Sequence, residues 1–160
     1  MSKLALTTPR QAVVSVLAGA VVSWGVLALY ERVSAFPPVV PWTVPVLLGI
    51  LGVAGILYAL TIPKRLEERR IGPQEGMVAV VTGKALVICG AVLAGAHTVY
   101  VMKFLPSIDA ANPLQRVLRG GGTLVASLVM AVAGSMIERR LRIQEPPDDA
   151  GVDQADPSVA

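Results

Sequence analysis

The sequence predicts an all-α membrane protein: a bundle of four transmembrane helices, both termini cytoplasmic, followed by a disordered acidic C-terminal tail. Three observations predict it. The 160-residue chain is 54% hydrophobic and 16% charged, where a soluble domain carries about 25% charge. Its uncharged residues gather into four runs, Gln11–Tyr30, Val33–Pro63, Ala85–Met102 and Gly120–Ile137, each as long as the roughly 17 apolar residues that a membrane span requires. The charges sit in short clusters between those runs, which is how membrane topology is encoded.

The first helix has a defined start. Thr8 is a good N-cap, Pro9 suits the first helical position, and Gln11 completes a Thr-x-x-Gln capping box. The spacing predicts a helix over 9–32, broken by Pro37, Pro38 and Pro41. A second helix is expected over 43–70, with Pro63 tolerated as a kink and Lys64 four residues ahead of Glu68. Gly72 stops it and Pro73 opens a third helix over 73–104. Pro106 ends that one, and Asn112-Pro113 reads as a cap and first-turn proline for a fourth over 113–143. Residues 1–145 thus form the membrane domain. Residues 146–160 hold Asp148, Asp149, Asp153 and Asp156 without a basic residue, and read as a disordered cytoplasmic tail.

Orientation follows from the basic residues. One side collects Lys3, Arg10, Lys64, Arg65, Arg69, Arg70, Arg139, Arg140 and Arg142; the other has Arg32, Lys103, Arg116 and Arg119. The richer side is the cytoplasmic one, and it holds both termini. Tyr30, Phe36, Trp42, Tyr100 and Phe104 fall at the opposite interface, where aromatic rings gather.

Several chemistries are excluded. The net charge of +3 forms no basic stripe interleaved with aromatics, so nucleic acid is not an expected partner. Cys89 is the sole cysteine and His97 the sole histidine, too few for a disulfide or a clustered zinc site. Cys89 lies deep in an apolar run and is expected to be a small packed hydrophobe. No Asp or Glu falls within any run, although intramembrane carboxylates mark proton relays and cation-coupled transport. Ser15, Ser23 and Ser127 have no base nearby in sequence, and Gly120-Gly121-Gly122 lacks the Lys-Ser/Thr of a phosphate loop. No catalytic residue, cofactor or metal is expected, and the chain is read as a non-enzyme.

What remains is packing and charge. Helices in lipid associate through small residues that let backbones approach. Ser15, Gly19 and Ser23 form such a stripe on the first helix, and Gly52, Gly55 and Ala59 on the second. The third has two adjacent ones, Gly83, Gly90 and Ala94 beside Ala91, Gly95 and Thr98. Lys84 enters the apolar zone, where an isolated charge is costly, and is expected to pair with Glu138 at the end of the antiparallel fourth helix. Lys64, Arg65, Arg69 and Arg70 are expected to contact anionic lipid.

Lys84-Ala85, Gly90-Ala91 and Leu93-Ala94-Gly95 on the third helix, with Ala133-Gly134, Glu138-Arg139 and Pro146-Pro147-Asp148-Asp149 after it, carry a family likeness. With the break after the first helix and Pro63 closing the second, the chain resembles the DUF3180 family of actinobacterial membrane proteins, from about Gln11 to Asp149. Arg140 and Leu141 stand where members often carry a cysteine, and Ala96 and His97 where aromatics are usual. The resemblance implies a multi-pass protein of the bacterial plasma membrane with no established activity, with Lys84 and Glu138 part of the family pattern.

Packing stripes without reactive groups point to an accessory or scaffolding subunit. Its expected partners are membrane lipids and another membrane protein or a second copy of itself. The alternative is a small-molecule or lipid transporter or binder, working as a homo-oligomer with Lys84 toward an anionic ligand. The topology makes a direct prediction. A reporter that works only in the cytoplasm should be active when fused to either end, and activity of an extracytoplasmic reporter at either end contradicts the orientation.

Overall fold

The structure, a computed structural model, describes residues 7–33, 39–68 and 71–142. The acidic tail expected at 146–160 lies outside the described residues, as do Lys3, Phe36, Arg69 and Arg70. Four helices account for nearly all of the rest: α1 (Pro9–Val33), α2 (Thr43–Glu67), α3 (Pro73–Phe104) and α4 (Ala111–Arg142). All four are long and apolar enough to cross a membrane, with mean hydropathy between 1.7 and 2.2 in their most apolar windows. The chain is a four-helix multi-pass membrane protein.

Local chemistry sets the helix ends. The Thr8 amide donates to Gln11 Oε1 at 3.0 Å while the Gln11 amide donates to Thr8 Oγ1 at 3.3 Å, closing both halves of the capping box. Gly72, in extended conformation, caps α3, with Pro73 in its first turn. Pro63 sits inside α2 without ending it. A 3-10 turn at Leu105–Ser107 follows α3, and α4 then begins at Ala111, ahead of the expected Asn112-Pro113 cap. Asn112 is already helical. Pro113 is the third residue of the helix, where the amide it lacks would have had no intrahelical partner.

The helices do not pack in chain order. α1 lies against α3, α3 against α4, and α4 against α2, and no other pair of these helices brings its backbones together. The spatial order is therefore α1-α3-α4-α2. The outer members show it: 11% of the α1 span and 22% of the α2 span are buried, against 39% for α3 and 44% for α4. Residues 34–42 carry the chain from α1, beside α3, to α2, beside α4; fully extended they reach about 30 Å, some three interhelical spacings.

Each contact is built on small residues. On the α1–α3 seam Gly19 and Gly95 lie opposite one another, each over the carbonyl three residues earlier on the other helix. A Cβ at Gly19 would overlap the Val92 carbonyl, and one at Gly95 the Val16 carbonyl. One turn on, the Ser23 hydroxyl donates to the Ala96 carbonyl at 2.8 Å. Advancing four residues on α1 (19 to 23) advances four on α3 (92 to 96), so the two helices run parallel. On the α3–α4 seam Gly83 meets Gly134, and a Cβ at Gly90 would stand 2.7 Å from the Ser127 carbonyl. There the numbers run in opposite senses, and the helices are antiparallel. Gly52 and Gly55 rest on Met130 and Ala133 of α4.

The outward surface of the spans is mostly apolar. Val13, Leu17, Val21, Trp24 and Leu29 on α1 are all more than half exposed. Cys89 is exposed as well, which corrects its expected place as a packed hydrophobe. A helix surrounded by lipid is apolar on every face, so an apolar neighbourhood in sequence does not mark the inner one.

Two glycines on α1 separate packing from propensity. Nothing lies within 4 Å of a Cβ placed on Gly25, so Gly25→Ala should leave stability unchanged or raise it by up to about 1 kcal/mol. Gly19→Ala forces the helices apart and should cost about 1–3 kcal/mol, as overpacking does. Thermal unfolding in detergent reads both, and equal effects would contradict the seam.

Candidate functional site: the polar ends of the bundle

Apart from Lys84, which lies well inside α3, the described residues keep their charges toward the two ends of the helices. At one end Glu138, near the end of α4, is 4% exposed. The Thr7 amide donates to its Oε2 at 2.8 Å and the Thr7 hydroxyl to its Oε1 at 2.6 Å. Thr7 is the second residue before Pro9, so the carboxylate stands at the N-terminus of α1, where the helix dipole favours an anion. These two bonds tie α4 to the start of α1, although the backbones of the two helices do not come together.

Gly83 opens the way for that link. A Cβ there would meet the Gly134 carbonyl at 3.1 Å, Ile137 Cγ2 at 3.2 Å and Glu138 Cγ at 3.3 Å, so the carboxylate passes over α3 where α3 carries no side chain. Lys84 is the next residue on α3 and is half-buried. Beside this end Ala59 and Ile62 of α2, Ala79 of α3 and Ile137 of α4 form the buried apolar cluster.

The opposite end is aromatic and basic. Tyr100 and Phe104 meet as a tilted pair with ring centroids 5.0 Å apart, and the Arg116 guanidinium lies 4.9 Å from the Phe104 centroid. Arg116 is buried, which places this cation–π contact at the stronger end of the range of about 0.5–2 kcal/mol. Arg119 lies 5.8 Å from the Trp42 ring, joining α4 to the start of α2. Lys103 of α3 is ion-paired with Glu31 of α1. Thus α1 is held to its neighbours at both ends as well as at its centre.

Apart from Ser23, which donates across the α1–α3 seam, the hydroxyls between the helices described next are satisfied by their own helix. Thr123 Oγ1 donates to the Arg119 carbonyl at 2.9 Å and Ser127 Oγ to the Thr123 carbonyl at 2.7 Å, the back-bonding habit of such residues in helices. Ser15 does the same toward Gln11 at 2.9 Å. His97 Nδ1 is 2.9 Å from the Leu93 carbonyl, which makes that nitrogen the protonated one. Ala91 and Ala94 are buried on α3. No group of three or more His, Cys, Asp or Glu among the described residues is placed to hold a metal ion.

Of the basic residues expected to meet lipid, Lys64 is exposed and Arg65 Nη1 donates to Glu75 Oε1 at 2.7 Å. Sequence reasoning missed the Thr7–Glu138 and Glu31–Lys103 links. Both join residues far apart in the chain. The signal for the first was a threonine placed directly ahead of the capping box.

The family model described as "Protein of unknown function (DUF3180)" matches residues 12–145. The chain belongs to this family. Searches of the curated proteins and of the solved structures gave no match. The DUF3180 span takes in all three seams, Lys84 and Glu138, and the aromatic end. Thr7 lies ahead of it.

The Thr7–Glu138 link is testable by a cycle of substitutions. Thr7→Val removes one bond and should cost about 1 kcal/mol; Glu138→Ala removes both and should cost about 1.5–3 kcal/mol. Denaturant unfolding of the double variant should show less than the sum of the two. Strict additivity would mean that the bonds do not form.

Proposed function

We propose that this DUF3180 protein is a non-enzymatic accessory or scaffolding subunit that acts through helix packing in the membrane. The observation that carries the reading is the exposure of α1, which rests on a single neighbour and leaves a broad apolar face open in the bilayer plane. The interior supports the same reading. Both seams of α3 close backbone against side chain or carbonyl, and their hydroxyls bond within the protein, which suits a rigid platform. The membrane is the bacterial plasma membrane, with the Lys- and Arg-rich end and both termini in the cytoplasm. Lys84 belongs to the Glu138 end of this platform and is coupled to it energetically, fixing the register of α3 against α4.

Gentle detergent extraction from native membranes, followed by mass spectrometry, should recover the chain with a membrane-protein partner in fixed ratio. Isolation of the chain alone, with substrate-dependent flux in proteoliposomes that Lys84→Met abolishes, would instead make it a transporter. For the register, Lys84→Met and Glu138→Gln should interact by at least about 0.5 kcal/mol, beyond what independent sites show.

A further inference from the structure

The outward face of α2 is a continuous row. Val46, Ile50, Val53, Leu57 and Leu60 follow one another at alternating steps of four and three, and each is more than half exposed. The row ends in an open groove of about 510 Å³ lined by Leu60, Thr61, Lys64, Arg65 and Glu68. One end of this surface is apolar over the length of a membrane leaflet, and Lys64 and Arg65 both line the groove at the other. An apolar row that leads into two cations is complementary to a phospholipid's acyl chain and phosphate.

We propose that this groove binds one anionic phospholipid, its phosphate between Lys64 and Arg65 and an acyl chain along the Val46–Leu60 row. Arg65 is suited to the role because Glu75 fixes its position through one nitrogen, while a guanidinium has five N–H donors in all. Lys64 supplies an exposed point charge at the end of an apolar stem, the kind that covers apolar surface while its head reaches polar groups. Glu68 stands one turn beyond Lys64, at the headgroup rim. Its carboxylate, with that of Glu75 on Arg65, holds the local charge down. Over residues 64–70 four basic residues stand against two acidic ones, a small net positive charge that suits a headgroup with a single negative charge, such as phosphatidylglycerol, over a phosphate monoester such as phosphatidic acid.

The test uses the purified full chain in a neutral detergent, titrated separately with phosphatidylglycerol, phosphatidic acid, phosphatidylcholine and inorganic phosphate, with the thermal midpoint and lipid retention in native mass spectrometry as readouts. Phosphatidylglycerol should raise the midpoint saturably and remain bound at one copy. Lys64→Ala should weaken its half-saturating concentration about fivefold, the equivalent of about 1 kcal/mol for one basic residue at an anionic surface. Glu68→Gln should move the preference toward phosphatidic acid, whereas Arg139→Ala, an exposed cation outside the groove, should change nothing. Equal stabilisation by phosphatidylcholine, an unchanged titration in Lys64→Ala, or the full effect from inorganic phosphate alone would each overturn the proposal.

Discussion

The structure depends on how closely two backbones approach where glycine removes the side chain between them. Lipid tails are as apolar as the helices they surround, so burying leucine against leucine contributes little to association. Contact area must come from dispersion across tightly fitted surfaces, and that requires small residues. α3 carries two such surfaces. Gly83 and Gly90 set it against α4, and Gly95 sets it against α1, so one helix organises the other three directly or through α4. The unusual order α1-α3-α4-α2 follows from where the glycines are, because no comparable surface joins α1 to α2.

Polar groups divide into two tasks. Those between helices bond to backbone carbonyls, as Thr123 and Ser127 do on α4 and Ser23 does across the α1–α3 seam. Those at the ends fasten helices that the seams leave loose. α1 gains most from this. It is the least buried span, and Thr7–Glu138 and Glu31–Lys103 hold it at opposite ends of its length. A helix pinned at both ends and crossed at its middle presents its remaining face in a fixed orientation.

Much of this fold was legible in the sequence. The four spans follow from uncharged runs, and the start of α1 from Thr8, Pro9 and Gln11. The seams were legible as small-residue spacing, though not which helix each would meet. Other features were hidden for physical reasons. Cys89 was placed inward because apolar periodicity distinguishes core from surface only when the surface is wet. The start of α4 was set late because a proline is tolerated at several positions of a first turn. Thr7 and Glu138 sit at nearly opposite ends of the chain, and no local pattern relates them; Glu138 was expected to pair with Lys84, and its bonds to Thr7 were not foreseen.

The packing role of the glycines depends on which helices are neighbours. Pairwise cysteine cross-linking in native membranes, in a Cys89→Ala background, measures that directly. Pairs placed across Ser15 and Ala91, and across α2 and α4 at the Gly55–Ala133 level, should form disulfides readily, and pairs between α1 and α2 at matched depth should not. Efficient α1–α2 cross-linking within one chain, with none between α1 and α3, would contradict the helix order and the role given to the glycines.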